Sequence, residues 1–249
     1  MSDVFSVFSL REGGAKMKSL SIKFIVCWVI TVFFSLSGLS NAEAADYFPL
    51  QVGNSWTYST PYGVSANRVD SIIGTETING THTYIWNSQE ANDDNLHNKR
   101  WLAQDGNDLK MHKIWSNDGL DAIFIPALTV GKLNPSLGET YSYEGDVIID
   151  GVSTHVKVTH NIESITDTVT VAAGTFNNCL RIRELMEQKS NGVVTYEYAK
   201  FWYAPEVGLV IDREYTENWA STTYSDELVS FSIVTSRKAM PWIPLLLLN

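Results

Sequence analysis

From residue 45 to residue 234 the sequence alternates. Apolar or aromatic residues recur at every second position in short runs, and Gly, Asn, Asp or Pro separates one run from the next. A period of two puts successive side chains on opposite faces of a strand, and almost no three-to-four-residue apolar period competes with it. The runs "SWTYS", "NRVDSIIGTETI" and "THTYIW" open the series, and Asn79-Gly80 divides the second from the third. Asn-Gly suits a type I′ hairpin, whose two central residues both need positive φ. "KRWLAQDGNDLKMHKIW" gives two arms around Asp105-Gly106-Asn107, and "TYSYEGDVIIDGVSTHVKVTHNIESI" turns at Asp150-Gly151. The last third holds "DTVTVAAGTFNNCLRIRELM", "VVTYEYAKFWYA", "VGLVIDREYTE" and "ELVSFSIVTS", rich in Thr, Val, Ile, Tyr and Trp.

The count is roughly ten to twelve strands, too many for a flat sheet. The expected class is all-β, β-rich with minor helix: one curved antiparallel sheet, half-barrel or barrel-like. Short helical turns are expected at "DYFPLQVG" and after Pro126 or Pro135, and "NSQEANDDNLHN" is expected to be a loop. Along "YEYA" (196–199) and into "KFWYAPEVGLVIDREY" (200–215), alternation points Tyr196, Tyr198, Lys200 and Trp202 one way and Glu197, Ala199, Phe201 and Tyr203 the other. Pro205 presets φ for a turn, and Gly208 takes a conformation other residues resist. Aromatics on both faces make this corner one that is packed on both sides, or one wall of a cleft.

The ends of the chain have a different character. From Met17, Lys18 and Lys23 precede an apolar run from Phe24 to Leu39, followed by Ala42-Glu43-Ala44. This is the order of a secretory signal peptide, with cleavage expected near Ala44. Residues 1–44 are therefore read as signal peptide with an N-terminal extension, whether the start is Met1 or Met17. Residues 45–238 are read as the antiparallel β domain, and "AMPWIPLLLLN" (239–249) as an apolar tail, far short of the roughly 20 residues a membrane span needs. The expected location is periplasmic or secreted, with no integral membrane part after cleavage. Removal of residues 1–44 leaves 14 Lys and Arg against 25 Asp and Glu, an acidic balance that argues against nucleic acid as a partner. Cys27 leaves with the signal, so Cys179 has no intrachain partner and reads as a small buried apolar group.

Three segments carry a resemblance: "YFPLQVGNSWTYS" (47–59), "VTVAAGTFNNCLRIR" (169–183) and "FWYAPEVGLVIDRE" (201–214). Together they resemble a group of uncharacterised secreted bacterial proteins, which are similar in turn to periplasmic half-barrel proteins of the LolA/LolB type. The resemblance implies a curved sheet and, through the half-barrel proteins, handling of lipid or lipoprotein. The sequence departs from the group at Ala172, where Pro is usual, and shows none of the helices with which the lipid carriers cover their concave face.

No catalytic residue and no cofactor is expected. There is no G-x-S-x-G elbow and no Ser-x-x-Lys. His82, His97 and His112 lie in separate strand-like runs, and the odd spacing of His155 and His160 puts them on opposite faces, so no metal site is expected. The acid pairs Asp93-Asp94, Asp105/Asp108, Asp118/Asp121 and Asp146/Asp150 read as solvated turns before they read as a glycosidase pair. The remaining chemistry is aromatic surface. Trp56, Tyr58, Trp101, Tyr196, Tyr198 and Trp202 are the candidate ligand-binding residues, lining a groove for a hydrophobic small molecule, a lipid or an apolar peptide. The expected function is a non-enzymatic exported binding module. The alternative is a structural or interaction protein of the cell envelope, acting through sheet edges or the apolar tail.

Overall fold

The computed structural model describes residues 45–59, 67–90, 93–117, 119–149 and 152–234. The signal-like segment 1–44, the Asp150-Gly151 turn and the tail 239–249 lie outside them. The first six strands are β1 (Ser55–Ser59), β2 (Asn67–Ile78), β3 (Thr81–Glu90), β4 (Asp93–Asp105), β5 (Asp108–Ser116) and β6 (Asp121–Lys132). The second six are β7 (Thr140–Ile149), β8 (Val152–Val171), β9 (Gly174–Ser190), β10 (Val193–Ala204), β11 (Gly208–Tyr215) and β12 (Thr222–Ser232). All pair antiparallel in one sheet of order β6-β5-β4-β3-β2-β1-β12-β11-β10-β9-β8-β7.

Each strand therefore pairs with its sequence neighbour, with two exceptions. β1 pairs with β12, Trp56 opposite Phe231 and Tyr58 opposite Leu228, which joins the two ends of the domain. β6 and β7, consecutive in sequence, are the two edges. The sheet curls until these edges meet through side chains: Phe124 of β6 and Tyr143 of β7 lie edge to face at 5.9 Å, and Lys132 at the end of β6 forms an ion pair at 3.7 Å with Glu139, just before β7. The result is a nearly closed barrel. Pro126 sits on the edge strand β6, where a residue without an N–H costs no ladder bond.

Local chemistry accounts for the turns. Asn79 and Gly80 both have positive φ, 49° and 82°, as a type I′ hairpin requires. Between β10 and β11, Glu206 joins Gly208 at positive φ, 61° and 96°. That corner is held from outside the hairpin: the Glu206 N–H donates to the Asp46 carbonyl (2.7 Å), and the Asp46 N–H donates to Glu206 Oε1 (3.0 Å). No helix forms at "DYFPLQVG" or after Pro126 or Pro135. The first is a bent segment that plugs one end of the barrel, Pro126 is inside β6, and Pro135 lies in an irregular connection. The helical residues among those described are one 3₁₀ turn, Glu217–Trp219. "NSQEANDDNLHN" is not a loop either: its two halves extend β3 to Glu90 and start β4 at Asp93.

Two cores result. One fills the interior, with Phe48, Leu102, Leu109, Phe124, Ile162, Leu180 and Ile182 buried. Phe48 bridges the barrel from within, its ring 4.7 Å from Tyr203 and close enough to Gly131 that a Cβ there would lie 2.5 Å from Phe48 Cζ. The other core involves the long β8–β9 hairpin. Along β8 the even positions from Thr154 to Ser164 are buried, but beyond it Val169 and Val171 are. Three register irregularities between Ile162 and Val169 change the phase, since each unpaired residue swaps the faces. The hairpin tip then folds back onto the sheet, where Ala173 N–H donates to the Leu228 carbonyl and Phe176 meets Phe231 at 6.1 Å. Val169, Val171, Cys179 and Trp202 are buried in this second core.

Candidate functional site

The barrel's two ends differ in chemistry. At the end holding Asn54 and Gly208, the segment after Ala45 fills the opening: Tyr47 and Phe48 are buried, and the Tyr47 hydroxyl donates to the Asn178 carbonyl at 3.1 Å. The strand register places Arg68, Asp212, Asp226 and Tyr224 toward the opposite end. There the interior opens as a polar cavity of about 310 Å³, lined among others by Arg68, Glu90, Arg100, Asp212 and Glu214, with Ser88 and Asn98 supplying neutral polar groups.

Arg68 organises this mouth. It lies opposite Tyr58 on β1, so both side chains face inward, and its guanidinium carbon sits 4.5 Å from the Tyr58 ring centroid. It bonds Asp226, reaches Asp70 at 3.2 Å and faces Asp212 at 3.8 Å. Ser88 donates to Asp70 at 2.6 Å and fixes it from β3. Burial opposes the Arg68 charge, but Asp70, Asp226 and Asp212 together outweigh it and hold the guanidinium pKa above its ordinary value. One cation cannot satisfy three carboxylates equally. Asp70 and Asp226 are the nearer pair, and Asp212 is in surplus: burial, against the pull of Arg68, pushes its carboxyl up to about 7. Asp226, without exposed surface, is also raised by burial despite Arg68. Further around the mouth, Glu197 is raised by burial first and then by Glu214 and Glu184. On the β8–β9 wall, buried His160 bonds Glu184 at 2.7 Å and stacks on Tyr141 at 4.8 Å.

The six aromatic residues singled out in the sequence do not share one surface. Trp56 and Tyr58 are together in the interior with no exposed surface. Trp56 stacks on Trp86 at 4.6 Å and donates to the Val207 carbonyl, while Tyr58 donates to the Leu209 carbonyl. Trp101 follows Arg100 and turns the other way, donating to Glu76 at 2.6 Å beneath Lys113. Tyr196, Tyr198 and Trp202 lie along one face of β10. Trp202 is buried and donates to Asp167, Tyr198 meets Trp219 at 5.1 Å, and Tyr196 is exposed. Sequence reasoning passed over Arg68, Asp212, Asp226 and Glu214. The available signal was position: Asp226 is two residues from buried Leu228 on the same face, and Asp212 is its register partner.

Among the described residues no three His, Cys, Asp or Glu side chains are grouped to hold a metal ion, and no helix is long and apolar enough to cross a membrane. No family model matches the chain, and no curated protein matches it. Two solved structures are similar. One is a protein from Bacteroides fragilis described as exported and having a YmcC-like fold, at 15% identity and a TM-score of 0.51, covering 76% of this chain and 99% of that one. The other, from Parabacteroides distasonis and described as a lipoprotein, has 15% identity and a TM-score of 0.47 over 76% of this chain and 100% of its own. At such identity the first likeness establishes the fold: this chain is similar to a protein with a YmcC-like fold.

Proposed function

We propose that the chain is an exported, non-enzymatic binding module whose ligand enters the polar mouth of the barrel. Export rests on the Lys18/Lys23, apolar and Ala42-Glu43-Ala44 order of the sequence. The non-enzymatic reading rests on the lack of nucleophile signatures in the sequence. One observation carries the binding reading: a cavity of about 310 Å³ has buried, mutually braced charges at its base, Arg68 with Asp70, Asp212 and Asp226. Cavities from roughly 300 Å³ upward accommodate small molecules, and charges removed from water are costly unless structure or ligand compensates them. The same observation turns the ligand from an acyl chain toward a small polar molecule, because the apolar interior is occupied by Phe48, Trp56, Tyr58 and their neighbours.

Native mass spectrometry of the gently purified protein, with a thermal-shift screen of polar metabolites, tests this. A retained polar mass, lost together with its thermal shift on Asn98→Leu at the cavity wall, is the expected result. A retained lipid, or no mass and no shift from any compound, would count against it. The second reading, an envelope interaction protein, is favoured by the ladder-free edges of β6 and β7. Pull-downs with and without residues 240–249 separate tail-borne from edge-borne partners.

A further inference from the structure

The charges inside the mouth do not balance. The inward positions carry Asp70, Glu90, Asp212, Asp226, Glu184 and Glu214, drawn from β2, β3, β11, β12 and β9. Against these stand Arg68 and Arg100, with His160 bonded to Glu184; of the six acids Glu90, Asp212 and Glu214 line the cavity beside the two arginines. Asp226 adds an independent sign of an unfilled requirement. It has no exposed surface, faces inward with its register partner Asp212, touches Arg68 through Oδ2 and shares a hydrogen bond with the Tyr224 hydroxyl, while Oδ1 has no hydrogen-bond partner of good geometry among the described residues. A buried carboxylate oxygen without a donor costs on the order of 1–3 kcal/mol, more when charged, so Asp226 adds uncompensated negative charge behind the cavity wall. Asn98 Oδ1, on the cavity wall, is a second buried acceptor without a partner.

We infer that the ligand of the mouth is a small organic cation, with one or two protonated amine or guanidinium groups that donate to Glu90, Asp212 and Glu214, the carboxylates that line the cavity. The inference rests on the reading of the mouth as the binding site and names the ligand's chemistry within it. These three partners are carboxylates and outnumber the two lining arginines, so an anionic ligand would meet the surplus and a neutral one would leave it in place. A bare metal ion suits the site less well, because the Arg68 guanidinium is wedged between the carboxylates that would have to converge on it. The free protein shows the cost of this crowding: burial first, and neighbouring carboxylates after it, raise Glu197, Asp212 and Asp226.

Three probes of matched length separate the possibilities: hexane-1,6-diamine, hexane-1,6-diol and hexanedioate, titrated calorimetrically into the purified protein at pH 8 and low salt. The diamine is expected to bind and the other two are not. Asp212→Asn and Glu214→Gln should each weaken the diamine at least tenfold, while Asp105→Asn at an exposed turn leaves it unchanged. Asp212→Asn should at the same time raise the melting temperature of the free protein, an opposition that a purely structural aspartate would not produce. Binding of the diol or of hexanedioate with affinity equal to the diamine would overturn the cation inference and leave the mouth as a binding site. Diamine binding untouched by both mouth substitutions would overturn both, and so would a failure of all three probes to bind.

Discussion

Asp212→Asn separates a charge that supports the fold from one that burdens it. Asp212 faces Arg68 at 3.8 Å, yet Arg68 has nearer partners in Asp70 and Asp226. The other groups around Asp212 are Tyr58 and Tyr203 inside the barrel, Arg100 on β4, Glu214 beside it and Tyr224 on β12. In the unfolded chain the carboxyl ionises near its ordinary value of 3.8, whereas in the fold it holds its proton up to about 7. Between those values the folded state binds more protons than the unfolded one, so stability from this group falls as pH rises through the window and levels off above it. At about 1.4 kcal/mol per pH unit the burden at pH 8 is on the order of 4 kcal/mol at most, and screening and relaxation reduce it. Asn keeps the shape and never ionises. Urea unfolding followed by Trp fluorescence should show the variant about 1–4 kcal/mol more stable than the parent at pH 8. The difference should shrink below about 1 kcal/mol at pH 4. A variant less stable at pH 8, or a difference that does not change with pH, would show that Arg68 holds Asp212 ionised and refute the reasoning.

Three further outcomes follow from the same structure. Phe48→Ala empties the plugged end beside Tyr203 and Gly131 and should cost about 3–4 kcal/mol in urea unfolding; a loss under about 1 kcal/mol would show that the segment after Ala45 is not part of the core. Cys179 has no exposed surface, and burial pushes its thiol up to about 11, so a thiol reagent at pH 8 should label it only as fast as the protein unfolds. Rapid labelling would mean that the β8–β9 hairpin lifts from the sheet. At pH 7, diamine binding should expel a proton from Asp212, making the calorimetric enthalpy depend on the ionisation heat of the buffer; Asp212→Asn should lose most of that dependence, and a parent enthalpy equal in all buffers would contradict it.

The sequence revealed the scaffold better than the site, for a physical reason. "SWTYS" and "NRVDSIIGTETI" coincide with β1 and β2, because one face of each contacts the core and period-two alternation is the imprint of that contact. Positive φ at Asn79 and Gly80 follows from residue type alone. "NSQEANDDNLHN" failed as a loop expectation because β3 runs on to Glu90 and β4 starts at Asp93. Its Ser88, Gln89, Glu90, His97 and Asn98 line the polar cavity, so no apolar stripe marks these strand ends. "DYFPLQVG" has the aromatic density of a helical turn but spends it as a plug, a contact with β6 and β10 that no local pattern encodes. The aromatics chosen for a ligand groove were mostly core. The site is built from inward-facing charges on four or more strands, whose convergence appears only once the β1–β12 pairing closes the sheet.

The most direct test of the polar mouth is a map of backbone amide chemical shifts during titration with hexane-1,6-diamine. The account predicts that the largest shifts cluster at Arg68, Ser88, Asn98, Asp212 and Glu214, with Phe48, Gly131 and the Trp202 face of β10 unmoved. Shifts concentrated at the plugged end or on the outer wall would contradict it.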